Sequence, residues 1–218
     1  MSGSLGLVVG SSLRGAAVPD GDWQVLQRHG EAAAYVLPHK IDHVANMRAL
    51  AEAGCDRVLG IGSVGGLHPE LGPGAFLCPD DFVALDAAPV TALEGLDAHR
   101  VAGFDSGWRR EVLAAFAGTA AQVRDGGVYW QAGGPRLETP AEIRLAAAHA
   151  DVIGMTIASE SVVAGELGLR YAAVCVVDNL ANGVGERELT LAEVDEGRER
   201  NLAALRRALA QALPALAG

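Results

Sequence analysis

An alternation of apolar runs and amphipathic stretches, punctuated by glycine, constrains the fold of this chain more than any other feature. Leu5-Gly6-Leu7-Val8-Val9 is a nearly continuous apolar run closed by Gly10-Ser11-Ser12, the pattern of a buried strand ending in a polar loop. Ile41 to Gly54 then sets Val44, Met47, Leu50 and Ala51 on one face, with Gly54 at the stop. That spacing predicts an amphipathic helix. Arg57-Val58-Leu59-Gly60-Ile61 reads as the next strand, and Gly62-Ser63-Val64-Gly65-Gly66 as a glycine-rich turn after it. A chain that alternates in this way covers a sheet with helices.

The middle, from Ala75 to Val123, is less regular. It holds strand-like Ala75-Phe76-Leu77-Cys78 and Phe82-Val83-Ala84-Leu85, a loop from Ala88 to Gly103, and a predicted helix from Ser106 to Phe116. Gly127-Val128-Tyr129-Trp130-Gln131 predicts a strand. Thr139-Pro140-Ala141-Glu142 is a capping box with proline at the first helical position, opening a helix to about Ala150. Val152-Ile153 predicts a short strand, Ser159 to Leu167 a helix ended by Gly168, and Tyr171 to Val177 a β-branched strand. Thr190-Leu191-Ala192-Glu193 is a second capping box, ahead of a helix with Val194, Leu202, Leu205, Leu209 and Leu213 apolar. No repeat or linker divides the series, so one α/β domain over residues 1–218 is expected, with a mixed central sheet covered by helices.

Composition removes whole classes of function. At 218 residues and 50% hydrophobic, the chain suffices for one domain with a sizeable core. A formal charge of -10 argues against a polyanion as partner, because binding a phosphate backbone needs a basic face. No nucleic acid partner is expected; a small anion held by a few local donors is compatible with the charge. Cys55, Cys78 and Cys175 lack paired spacing, so neither a disulfide framework nor a metal site is indicated. No window approaches a membrane span and no basic leader precedes the first strand, so a cytoplasmic protein is expected.

Ligands of α/β sheets sit at the carboxyl ends of strands. The loops at Gly10-Ser11-Ser12, Gly62 to Gly66, Met155-Thr156 and Asp178-Asn179 are therefore candidates for one shared pocket. Two of them combine glycine with hydroxyls, which suits an anion held by backbone N–H groups and serine; each taken alone is as well explained by a tight turn. Neither fits the P-loop or the dinucleotide fingerprint. Arg28-His29 can grip a phosphate or simply form a surface pair. Asp178 and Asn179 close an apolar strand, where an acid beside an amide can donate to and read a heterocycle, although both are also ordinary turn formers.

Gly133-Gly134-Pro135-Arg136-Leu137-Glu138-Thr139-Pro140-Ala141-Glu142, Asp151-Val152-Ile153-Gly154-Met155-Thr156 and Gly168-Leu169-Arg170-Tyr171-Ala172-Ala173 together resemble the trimeric purine nucleoside phosphorylase and methylthioadenosine phosphorylase family. Pro38-His39-Lys40-Ile41, Ala45-Asn46, Gly65-Gly66-Leu67 and Pro73-Gly74 extend the resemblance over nearly the whole chain. It implies an α/β/α sandwich, a homotrimer or dimer of trimers, and phosphorolysis of a purine nucleoside to free base and a ribose 1-phosphate. Phosphate is then a co-substrate, and no cofactor is expected.

Carried over position by position, the resemblance implies that Ser11, Arg28, His29 and Ser63 bind phosphate, with Thr156 at the phosphate and sugar edge. Met155 matches the methionine under the ribose. Asp178 matches the acid or amide at N7 of the purine, where Asn179 stands instead if the loop is shifted by one residue. Glu138 matches the glutamate that binds N1–H of a 6-oxopurine, whereas an aspartate at Asp178 is the adenine-selective pattern, so the base stays open. Leu191 falls where an apolar residue accompanies a 5′-methylthio group, and His99 is implied to reach a neighbouring subunit's site.

The chain also departs from the family. The segment after Arg28-His29-Gly30 reads Glu31-Ala32-Ala33, with a changed length before Pro38; Leu137 replaces an aromatic; Ile157-Ala158-Ser159-Glu160 replaces the common Val-Pro-Glu. The leading expectation is a phosphorylase of S-methyl-5′-thioinosine or S-methyl-5′-thioadenosine. A hydrolytic nucleosidase and a non-catalytic nucleoside-binding protein stand beside it.

Overall fold

The structure is a computed structural model and describes residues 3–13, 16–30, 35–85, 89–186 and 189–218. Its centre is a mixed sheet of nine strands among the described residues. In chain order these are β1 (Ser4–Val9), β2 (Trp23–Gln27), β3 (Cys55–Gly66), β4 (Phe76–Cys78), β5 (Asp81–Ala84), β6 (Val123–Asp125), β7 (Val128–Gln131), β8 (Val152–Gly154) and β9 (Arg170–Leu180). The α-helices are α1 (His43–Glu52), α2 (Ser106–Phe116), α3 (Pro140–Ala147), α4 (Ile157–Glu166) and α5 (Leu191–Ala217).

β3 organises the sheet. Its first half lies between β1 and β9, both parallel to it, and its last two residues pair antiparallel with β8. Beyond β8 the sheet continues through β7 to β5, and beyond β9 through β4 to β6. Period-two alternation sorts the strand side chains between two cores. Leu5, Leu7, Leu59, Ile61, Val174 and Val176 join Trp108, Phe116, Leu205 and Leu209 from α2 and α5 on one face. Val8, Val58, Tyr171, Ala173, Cys175 and Val177 join Met47, Leu50, Ile157 and Val163 from α1 and α4 on the other. Helices on both faces make the expected sandwich. All three cysteines are free and buried, and no described helix is long and apolar enough to cross a membrane.

Both capping boxes form as expected, at Thr139–Glu142 and Thr190–Glu193. The helix predicted from Ile41 to Gly54 is shorter, because Asp42 accepts a hydrogen bond from the Ala45 N–H and caps it. α4 begins at Ile157 rather than Ser159. β2 and β6 escape the sequence reading: their burial is partial and no apolar run marks them.

The main correction concerns the glycine-rich stretch after Ile61, which is not a turn. Gly62 to Gly66 continue β3, paired with β9 as far as Leu180. The glycines thin the strand where other segments press on it. A Cβ on Gly62 would stand 3.1 Å from Ile157, and one on Gly66 would collide with the Leu71 carbonyl. Asp178 and Asn179 are likewise strand residues, not turn formers.

Candidate active site

The ends of β1 and β8 flank the part of β3 that carries Ser63. β1 runs parallel to β3 with Val8 opposite Gly60, and Ser11 opens the short 3-10 turn that follows β1. On the far side β8 is antiparallel, with Gly65 opposite Ile153, and Met155 and Thr156 follow its end. β9 sets Val176 beside Ser63. Ser11, Met155 and Thr156 thus follow the ends of β1 and β8, the strands that flank β3, whereas Ser63 lies within β3 itself rather than in a loop. Beside Ser11, the buried Ser12 hydroxyl has no hydrogen-bond partner among the described residues.

The Gly133-Gly134 segment lies over the end of β8. Gly134 has φ +58°, and a Cβ there would stand 2.7 Å from the Met155 sulfur. The same segment leads to Leu137 and Glu138, both partly buried. Asn182, just past β9, donates from Nδ2 to the Glu138 carbonyl at 3.0 Å, tying the Glu138 loop to the end of β9. Burial raises the Glu138 carboxyl above its ordinary range.

Asp178 is fully buried, with both carboxylate oxygens engaged. Oδ2 accepts from Ser63 Oγ at 2.5 Å, and Oδ1 accepts from Asn201 Nδ2 at 2.8 Å. The register shows why. Val64 pairs with Val177 and Gly65 with Asn179, so Asp178 is the extra residue of a bulge. Burial raises its carboxyl, opposed by the Ser63 and Asn201 hydrogen bonds. Asn179 is partly buried; its Nδ2 donates to the Leu180 carbonyl at 2.9 Å, and its Oδ1 accepts from no described protein donor. Sequence reasoning missed Asn201. The available signal was a polar residue in the buried stripe Gly197, Asn201, Leu205, Ala208 of α5.

Arg28 follows β2, 4% exposed. Its Nε and Nη2 donate to Glu160 at 2.5 and 2.7 Å, and its Nη1 to the Ile61 carbonyl at 2.6 Å. Tyr171 adds its hydroxyl to Glu160 at 2.5 Å. Burial alone would raise the Glu160 carboxyl; the Arg28 charge and hydrogen bonds outweigh it and hold the group below its ordinary value. Three of the five guanidinium hydrogens are thus engaged. The Nη1 atom lies beside the Gly10-Ser11 loop, 2.6 Å from where a Gly10 Cβ would stand. His29 Nδ1 is 2.8 Å from the Val36 carbonyl, and its ring stacks on Tyr35 with centroids 4.6 Å apart. The altered Glu31-Ala32-Ala33 segment lies outside the described residues.

The start of α4 is closed by a protein hydroxyl. Tyr129 Oη accepts from the Thr156 and Ile157 N–H groups at 3.1 and 3.3 Å, and the Thr156 side chain makes no cap hydrogen bond.

Two residues named from the sequence lie apart from these strand ends. Leu191 is 72% exposed at the first position of α5, where the capping box turns its side chain outward. Leu189 instead lines a cavity of about 410 Å³ together with Asp178, Asn179, Leu180 and Arg200 and with three glutamates, Glu186, Glu193 and Glu196. His99 is exposed and lines a separate surface cavity against α4.

The chain is similar to several known proteins. The family model described as Phosphorylase superfamily matches residues 14–214. A protein of Archaeoglobus fulgidus named "Probable 6-oxopurine nucleoside phosphorylase" is 40% identical over 182 residues, 83% of this chain and 74% of the relative. One of Pseudomonas syringae pv. tomato named "Probable S-methyl-5'-thioinosine phosphorylase" is 34% identical over 197 residues, 87% of this chain and 80% of the relative. Methylthioadenosine phosphorylase from Schistosoma mansoni, solved in complex with adenine, superposes with TM-score 0.83 at 20% identity, over 99% of this chain and 92% of that one, a likeness of fold. These matches identify the chain as a member of the phosphorylase superfamily.

Proposed function

We propose that this protein is a purine nucleoside phosphorylase that acts on 6-oxopurine nucleosides carrying an apolar 5′ group, of which S-methyl-5′-thioinosine is the leading substrate. The observation that carries the reading is the position of Ser11, Met155 and Thr156 after the ends of the two strands that flank β3, with Asn182 tying the Glu138 loop to the end of β9, in a chain of this superfamily. In the reaction a phosphate oxygen bonds to C1′ of the sugar as the bond from C1′ to N9 of the base breaks. The electron pair of that bond goes to the purine. The protein's task is to position the nucleophile and to stabilise the charge that develops.

Ser11, Thr156 and the remaining guanidinium hydrogens of Arg28 form the anion side, with His29 at its margin. Met155 underlies the sugar. Asn179, rather than Asp178, reads the base: its Oδ1 is available to accept from N7–H of the departing purine, whereas both Asp178 oxygens are engaged. The Glu138 carboxylate accepts N1–H, a proton that 6-oxopurines carry and adenine lacks. The names of the relatives from Archaeoglobus fulgidus and Pseudomonas syringae support that base class. Leu189 takes the apolar 5′ role expected of Leu191.

Assembly as a trimer belongs to the same reading. Leu96 and Val101, 86% and 102% exposed, flank the exposed His99, as suits a surface covered by another chain.

Base release from S-methyl-5′-thioinosine, S-methyl-5′-thioadenosine, inosine and adenosine, each with and without phosphate, tests the reading by chromatography. Phosphate-dependent release of hypoxanthine from the methylthio nucleoside is expected. Release that ignores phosphate would make the protein a hydrolase, and tight binding without release a nucleoside-binding protein.

A further inference from the structure

Neighbouring residues of a strand face opposite sides of the sheet, so a shift of one residue reverses a side chain. Val177 of β9 pairs with Val64 of β3, whereas the next pair joins Asn179 to Gly65 and leaves Asp178 out of the ladder. In an unbulged strand Asp178 would stand opposite Gly65 and Asn179 opposite Gly66. One extra residue thus decides whether an acid or an amide stands opposite Gly65. The missing side chain at Gly65 gives that amide room, since a Cβ there would lie 3.4 Å from Asn179 Nδ2.

A bulge interrupts the ladder, and its polar groups need other partners. Here side chains from two elements supply them. Ser63 Oγ, on β3, donates to Asp178 Oδ2 at 2.5 Å, and Asn201 Nδ2, on α5, donates to Asp178 Oδ1 at 2.8 Å. The same amide nitrogen donates to the Val177 carbonyl at 2.9 Å, so Asn201 uses both its hydrogens on consecutive residues of β9. α5 comes this near because residue 197 is glycine, where a Cβ would collide with the Asp178 carbonyl. Both Asp178 oxygens and both Asn201 amide hydrogens are engaged within the protein. The two residues therefore act on a ligand through what they hold in place.

We propose that Asn201 and Asp178 are positioning residues of the reaction, which fix the β9 bulge that turns Asn179 toward the departing base. The inference rests on the phosphorylase reading, in which Asn179 accepts from the purine as it leaves, and adds what sets that acceptor in place. A displacement of about 1 Å in a positioned group costs about 100-fold in rate. Because the hydrogen bond to the base strengthens as the base departs, its loss falls on kcat rather than on the binding of phosphate.

The test is steady-state phosphorolysis of S-methyl-5′-thioinosine by the full chain, with nucleoside and phosphate varied in turn. Asn201→Ala and Asp178→Ala should each lower kcat by about 10- to 100-fold, while the KM for phosphate changes by less than about twofold. Asp178→Asn is the rescue. Its side-chain oxygen still accepts from Asn201 and its amide nitrogen donates to Ser63 Oγ, so both anchors persist and most of the kcat lost in Asp178→Ala returns. In an Asn179→Ala background, Asn201→Ala should cost less than about a further twofold, because residues that act through one acceptor are not additive. A general loosening of the fold would lower both backgrounds by the same factor. Asn201→Ala combined with Asp178→Asn removes the α5 anchor without leaving a charge unmatched, and should show the same fall in kcat where a single alanine variant fails to fold.

A kcat within about twofold of wild type in Asn201→Ala and in the combined variant would overturn the positioning role. A phosphate KM that moves as far as kcat, or an Asp178→Asn no faster than Asp178→Ala, would do the same, as would a full additional loss in the Asn179→Ala background. Where Asn179→Ala is too slow to measure, the split between kcat and KM and the rescue decide. Phosphate-dependent base release by the wild type without these patterns removes this inference alone; no base release by the wild type removes the phosphorylase reading and the inference with it.

Discussion

Arg28 and Glu160, 132 positions apart in the chain, meet in a buried two-bond ion pair with N to O distances of 2.5 and 2.7 Å. The pair joins the end of β2 to α4 behind the proposed anion site, and Tyr171 closes it from β9. Arg28 therefore contributes as much to the scaffold as to any ligand. Removing one partner leaves the other charge buried and unmatched.

Glu160→Gln is expected to lower stability by about 3–5 kcal/mol, read as a fall in the denaturation midpoint. The pH dependence follows from the sign of the shift. The folded Glu160 carboxyl lies below its ordinary value, so its stabilisation is complete above the unfolded range near ~4.3 and is lost as pH falls through the folded value. The wild-type midpoint should therefore drop in acid more steeply than that of Glu160→Gln. Parallel curves would show that the pair contributes little.

Gly197→Ala should be among the most damaging methyl additions in the protein. The added Cβ would overlap the Asp178 carbonyl, forcing α5 away from β9 and breaking the Asn201 contacts. Overpacking costs about 1–3 kcal/mol where side chains can adjust, and a backbone obstacle puts this case at or above the upper end. Thermal denaturation checks it, with Gly165→Ala as control, since nothing lies within 4 Å of a Cβ there.

Leu191 and Leu189 separate by experiment. Leu191→Ala, at an exposed position, should change stability by less than about 0.5 kcal/mol and leave the ratio of methylthioinosine to inosine turnover intact. Leu189→Asn should move that ratio toward inosine by adding a hydrogen-bonding partner for a 5′-hydroxyl. Comparison of kcat/KM for the two nucleosides decides which leucine faces the sugar.

Glu138→Ala should reduce kcat/KM for inosine-type substrates by roughly 30- to 150-fold, the effect of losing a hydrogen bond worth about 2–3 kcal/mol to a charged acceptor. Adenosine-type substrates, which bring no N1–H, should change little. Equal losses on both classes would mean that Glu138 supports the loop held by Asn182 rather than reading the base.

Local chemistry carried much of this protein in plain view. The capping boxes at Thr139 and Thr190 form because a side chain and a backbone N–H three residues away meet whatever surrounds them. Most of the strands announce themselves as apolar runs, since burial on both faces demands it. The strand-end rule found Ser11, Met155 and Thr156, which follow the ends of β1 and β8. What local pattern could not convey was which way closely spaced polar residues face. Gly62 to Gly66 resembles a turn in sequence, but its glycines answer to Ile157 and Leu71, segments distant or displaced along the chain whose approach only the folded sheet reveals. The bulge at Asp178 depends on the register between β3 and β9, and it buries Asp178 against Ser63 and Asn201 while setting Asn179 opposite Gly65. Residue types and spacing thus determined the class of fold and the family of chemistry, because propensity, capping and apolar periodicity are local. Tertiary structure decided which hydroxyl, acid and amide face one another, because hydrogen-bond partnership depends on distances between residues that the chain itself keeps far apart.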